Sequence, residues 1–231
     1  MILFERKGSM VAPISKQSRF TRSEDLANAI SHLAGTMLAI AALVLMVVFS
    51  SIRGNTWYIV SSSVFGTSMI FLYLSSTLMH WLPPGSFKER LFIFDRSAIF
   101  ILIAGTYTPL ALTVLRGPLG WVILGIEWGL AVTGIVRLMV KSHRFEEGVS
   151  FVDVMIYVIM GWLIVIFTGP VLKVVPLMCY VWIVIGGLFY TLGIIFFKIV
   201  RFRYHHLIWH LMVIGGSVSH FTAIFFYVIL Q

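Results

Sequence analysis

The chain has 231 residues, 59% of them hydrophobic and 11% charged. Soluble chains are about 45–50% apolar and about 25% charged, so an ordinary soluble domain is excluded. The net charge is +8, but the 17 Lys and Arg lie scattered between apolar runs. They form no basic domain face, which excludes a nucleic-acid-binding module. The single cysteine, Cys179, rules out an internal disulfide framework and a Cys-rich metal site. What remains is an integral membrane protein.

A helix needs about 20 apolar residues to cross the hydrocarbon core. Seven runs qualify in chain order, at roughly 29–50, 57–82, 92–115, 118–140, 151–169, 174–198 and 205–230. Residues 1–26 are polar and basic and read as a cytoplasmic tail rather than a cleavable signal peptide. Residues 27–231 then form the membrane domain. Barrel strands would alternate apolar and polar residues with period two. The run from Leu38 to Val48 is continuously apolar instead. In lipid every backbone group must be paired within its own segment, so the spans are helices. The expected fold is all-α, a seven-transmembrane-helix bundle.

The basic residues orient it. The tail carries Arg6, Lys7, Lys16, Arg19 and Arg22. Lys88, Arg90 and Arg96 follow span 2, Arg137, Lys141 and Arg144 follow span 4, and Lys198, Arg201 and Arg203 follow span 6. The other side has Arg53, Arg116 and Lys173. Fourteen against three places the N-terminus in the cytoplasm and the C-terminus outside.

Ionisable residues inside spans are costly and mark candidate functional positions. They are His32, His80, Asp95, Glu127, His206, His210 and His220, with Asp153 and His205 at span edges. His80 ends span 2 on the inner side, and Asp95 starts span 3 there. His206 and His210 start span 7 at the same level. Three imidazoles and one carboxylate from three helices thus meet at one depth. His206 and His210 are four residues apart and share one helix face, the spacing with which a helix offers two imidazoles to one metal. His205 is rotated by about 100° and does not join them. His220 lies about 15 Å deeper than His210, too far for the same coordination sphere.

Three His ligands leave a position open on tetrahedral zinc, the pattern of a catalytic site. Zinc there makes hydroxide available near neutral pH. Asp95 is suited to hold that water, act as a base or orient an imidazole. Taken singly, each residue has a plainer reading. His80 and the His206–His210 pair read as interfacial side chains, and Asp95 as a carboxylate favoured by a helix N-terminus. Iron, nickel and copper also accept imidazole, with zinc the favoured ion.

Several motifs together resemble a known family. They are Ser76-Thr77-Leu78-Met79-His80, Phe94-Asp95-Arg96-Ser97-Ala98-Ile99 and Ala104-Gly105-Thr106-Tyr107-Thr108-Pro109. With them go His206-Leu207-Ile208-Trp209-His210, Gly215-Gly216-Ser217-Val218-Ser219-His220 and Asn28-Ala29-Ile30-Ser31-His32. From about residue 24 onward the chain resembles the bacterial hemolysin III branch of the PAQR family, the progestin and adiponectin receptor relatives. The resemblance implies seven helices, a cytoplasmic N-terminus and a bacterial inner membrane. It implies zinc on His80, His206 and His210, with Asp95 on the zinc-bound water and Ser76 close by. In the wider superfamily, which includes alkaline ceramidases, these five positions go with hydrolysis of lipid amides. The bacterial branch is linked to membrane homeostasis and fluidity. The implied partners are membrane lipids, a lipid substrate or a free fatty acid, and no nucleic acid. Three functions therefore stand as expectations: a zinc-dependent hydrolase of lipid amide or ester bonds, a non-enzymatic homeostasis factor or receptor with structural zinc, and a haemolytic pore lined by Glu127 and His220.

The remaining residues carry local expectations. Glu127 lines a cavity or moves protons, or is a protonated or hydrogen-bonded interior residue. Asp153 favours a helix N-terminus. His32 orients a ligand or only packs. His220, with Ser217, makes an interhelical hydrogen bond. Gly186-Gly187 and Gly215-Gly216 allow close helix approach. Trp57, Tyr58 and Trp81 anchor the interface.

Overall fold

The computed structural model describes residues 20–53, 55–140, 150–198 and 202–231. Most of the basic tail and the orienting charges Lys141, Arg144 and Arg201 lie outside the described residues.

The first helix, α1, runs Arg22–Ile52 and starts seven residues before the apolar run. A polar cap explains the difference. Thr21 forms a capping box with Glu24: its hydroxyl accepts from the Glu24 amide, and its own amide donates to the Glu24 carboxylate at 3.0 Å. Two otherwise unpaired amides are thereby satisfied, so the helix can begin in polar sequence. This earlier start brings Asp25 and Asn28 onto the same helix as Ser31 and His32.

α2 spans Thr56–Trp81, α3 Ser86–Leu112 and α4 Pro118–Val140. α3 likewise begins ahead of its apolar run. The fifth expected span divides. α5 covers Phe151–Ile166, and the five-residue α6, Thr168–Leu172, follows after Phe167. Pro170 is the physical reason, because it lacks an N–H and its ring clashes with the carbonyl four residues back, at Ile166. α7 spans Leu177–Lys198, and α8 spans His205–Ile224 and continues as a π-helical turn over Phe225–Ile229.

Among the described residues six helices, α1, α2, α3, α4, α7 and α8 with its π turn, are long and apolar enough to cross a membrane. α5 is a shorter apolar helix of 16 residues. No strand occurs among the described residues. Apolar side chains such as Met37, Val44, Val136 and Leu192 stay exposed on the outer face of the bundle, which is stable only against lipid. The chain is a multi-pass integral membrane protein.

Neighbours in sequence pack together from α1 to α4, α7 pairs with α8, and α8 closes back on α1. α5 touches α3, α4 and α7. Small residues bring the helices close. A Cβ on Gly105 would collide with Ser68 of α2, and one on Gly134 with the Phe100 ring of α3. The expected glycine contacts also occur, with Gly186 against His220 and Gly216 against Tyr190. α4 and α5 are joined by Arg137 Nε donating to Asp153 at 2.9 Å. Asp153 therefore does more than favour its helix N-terminus.

Candidate metal centre

α8 begins at a fixed point. Tyr204, just before it, adopts the left-handed backbone region at φ 61°. Its amide donates to the Glu24 carboxylate at 3.1 Å. The same Glu24 caps α1, so one side chain registers the starts of α1 and α8. His206 and His210 follow in the first two turns of α8, facing α1 and the end of α2.

His80, His206 and His210 lie together, with one ring nitrogen from each within 4.8 Å of the others. Their ring centroids are 5.2 Å (His80–His206), 5.1 Å (His80–His210) and 4.6 Å (His206–His210) apart. The ring of Phe20 covers them, 4.9 Å from His206 and 5.8 Å from His80.

Hydrogen bonds to α1 decide which nitrogen faces inward. His80 Nδ1 is 2.9 Å from Asp25 Oδ1. A carboxylate accepts, so Nδ1 carries the proton and Nε2 the lone pair. Nε2 is buried and has no partner among the described residues. His210 Nδ1 lies 3.0 Å from Ser31 Oγ and 3.2 Å from the Asn28 carbonyl oxygen. Ser31 Oγ itself donates to that carbonyl at 2.8 Å. A carbonyl can only accept, so His210 also donates from Nδ1 and leaves Nε2 as a lone-pair donor. Metal-ligating histidines are normally held this way, by a carboxylate or carbonyl on the other nitrogen.

The three histidines expected to converge do so. Ser76, one turn before His80 on α2, interacts with the Asp95 carboxylate of α3. Ser76 and Asp95 line the same cavity as His206 and His210. His205 stands apart, its Nδ1 donating to the Phe196 carbonyl at 2.9 Å. His220 is also remote and bonds the Ile183 carbonyl of α7 at 3.0 Å. Its interhelical bond is as expected, but Ser217 pairs instead with the hydroxyls of Tyr73 and Tyr190, at 2.7 and 2.8 Å. His32 stacks on His210, with centroids 3.5 Å apart and planes 14° apart.

Glu127 does not line this cavity. It is fully buried in α4, and both its oxygens lack partners among the described residues. The residues that sequence reasoning missed are on α1: Asp25, Asn28 and Ser31. Asp25 escaped because the apolar run starts after it. The signal that existed was the Ser31-His32 step inside the Asn28–His32 motif.

The cavity measures about 870 Å³ and runs from Phe20, Asp25 and Lys88 past the His cluster to Tyr190 and His220. Leu72, Ile99, Leu102 and Val213 contribute apolar walls. The fold and site together define a multi-pass membrane protein with a histidine cluster at the head of an intramembrane cavity.

Comparison with known proteins agrees. The family described as haemolysin-III related matches residues 20–221, and the chain belongs to that family. It is 43% identical to the hemolysin-3 homolog of Bacillus subtilis (strain 168), over 90% of this chain and 96% of the relative. It is 39% identical to hemolysin-3 of Bacillus cereus, over 95% and 98%. It is 26% identical to the human monocyte to macrophage differentiation factor, over 97% and 92%. No solved structure matches the chain.

Proposed function

We propose that the protein is a zinc-dependent hydrolase of lipid amide or ester bonds in the bacterial cell membrane, with a role in membrane homeostasis. The observation that carries this reading is the Nε2 of His80, buried and without a partner among the described residues, within a group of three imidazoles. A buried nitrogen without a partner is costly, and a cation held with His206 and His210 satisfies it. An all-imidazole donor set fits zinc. Zinc, when bound there, polarises a carbonyl and lowers the pKa of a water to about 7.

The chain's own groups supply the rest. Ser76 interacts with Asp95, whose carboxylate takes a proton from the attacking water. Asp95 then returns that proton to the leaving amine or alcohol. The apolar walls hold acyl chains and exclude bulk water. Asp25 and Asn28 keep His80 and His210 in the required tautomers.

The test is lipid turnover by the purified protein across ceramides and phospholipids, with His206→Ala and Asp95→Ala as controls. Equal background rates in all three proteins remove the enzyme reading. Zinc content is measured in parallel, and about one ion per chain, lost in His206→Ala, is expected.

A second reading rests on the α1 contacts. Asp25 and Ser31 tie α1 to His80 of α2 and His210 of α8, so a metal there would clamp three helices. A non-enzymatic homeostasis factor or receptor would then lose thermal stability on chelation while consuming no lipid.

A further inference from the structure

The far end of the cavity is not a plain sleeve for an acyl chain. Its wall includes His220, ten residues along α8 from His210 and therefore about 15 Å deeper. His220 Nε2 is 3.0 Å from the Ile183 carbonyl, so Nε2 carries the proton and Nδ1 the lone pair. Nδ1 is buried and has no partner among the described residues. The ring is held in place by Gly186, where a Cβ would collide with it, and by Tyr190, whose ring centroid is 5.5 Å away.

The polar groups around it already donate elsewhere. Thr106 gives its proton to the Leu102 carbonyl at 2.7 Å, and Tyr107 to the Met160 carbonyl at 3.0 Å. Trp162 donates to Thr191 Oγ1 at 2.9 Å, and Thr191 to the Gly187 carbonyl at 2.8 Å. All four line the cavity. Tyr190, beside His220, shares a 2.8 Å hydrogen bond with Ser217 Oγ. With the protons of Thr106, Tyr107, Trp162 and Thr191 engaged, this stretch of wall offers acceptors, which is complementary to a ligand group that donates. The acidic residues that line the cavity, Asp25, Glu89 and Asp95, belong to the other end, so a neutral donor fits better than a cation.

We propose that this end of the cavity recognises a hydroxyl group on the tail of the bound lipid, with His220 Nδ1 as its acceptor. The inference rests on the reading that the lipid's carbonyl head sits at the His cluster. A hydroxyl about 15 Å from that head falls about two-thirds of the way along an extended stearoyl chain. The preferred ligands are therefore lipids hydroxylated in the outer half of the acyl chain, about two-thirds of the way from the carbonyl.

The experiment compares two probes, stearate and a stearate hydroxylated about two-thirds of the way along its chain, by equilibrium binding to the purified, zinc-supplemented full-length protein. The hydroxylated probe is expected to bind about threefold to tenfold tighter, the worth of one net hydrogen bond. His220→Leu should abolish that preference while still binding stearate. Equal affinities in the parent protein, or a preference that survives His220→Leu, overturns the proposal. His206→Ala reports on the head group separately. It should weaken both probes and leave their ratio intact. If it weakens neither, the metal-site reading fails, while the ratio still decides the tail site.

Discussion

Asp25 and His80 stand on different helices and are joined by a 2.9 Å hydrogen bond from the imidazole Nδ1 to the carboxylate. Lys88 Nζ, 3.4 Å from the other carboxylate oxygen, holds Asp25 from the α3 side. Such an outer partner fixes the tautomer and raises the basicity of a metal-binding imidazole. Asp25→Ala is expected to lower zinc affinity about 10- to 100-fold, with Asp25→Asn in between. Competition with a zinc-chelating dye reads this directly. Unchanged affinity in Asp25→Ala would mean that His80 does not need its partner.

Arg137 and Asp153 are the corresponding link between α4 and α5. The Asp153 side chain is 4% exposed and that of Arg137 28%. Arg137→Ala should destabilise the protein by about 3 kcal/mol, since it leaves a buried carboxylate unpaired. The double variant Arg137→Ala with Asp153→Ala should recover part of the loss. Unfolding in detergent measures both, and a double variant as weak as the sum of the singles would show no coupling.

Glu127 occupies the buried face of α4 with Ile123 and Ala131. Neither carboxyl oxygen has a partner among the described residues. A polar group buried in this way costs about 1–3 kcal/mol. Glu127→Leu, close in volume, should therefore raise the melting temperature. A melting temperature below that of the parent protein would falsify this account of Glu127.

The charge count predicts an orientation. If the expected spans place the basic residues on one side by 14 to 3, a reporter enzyme active only outside the cytoplasm should be active when fused at the C-terminus and silent at the N-terminus. The reverse pattern would place the His cluster near the outer surface instead.

The spans and the three histidines were legible because both depend on local sequence. Apolar length identifies a membrane helix without knowledge of its neighbours, and the His206–His210 spacing identifies a shared helix face. Basic residues next to span ends brought His80 and Asp95 to the level of that pair. Boundaries were less legible where a cap overrode apolarity, as Thr21 and Glu24 do at α1, or where proline did, as Pro170 does after α5.

Composition, span order and spacing thus determined a membrane bundle and a three-histidine cluster. Tertiary structure alone decided that α1 completes it. Asp25 and Ser31 are 55 and 179 residues from the histidines they touch, and no periodicity encodes contacts at such separations. It also decided that Glu127 has no hydrogen-bond partner among the described residues and that His220 lines the cavity, because burial and hydrogen-bond partners depend on which helices close around a residue. The scarce charges announce where polarity is concentrated, and only packing shows which of them have partners.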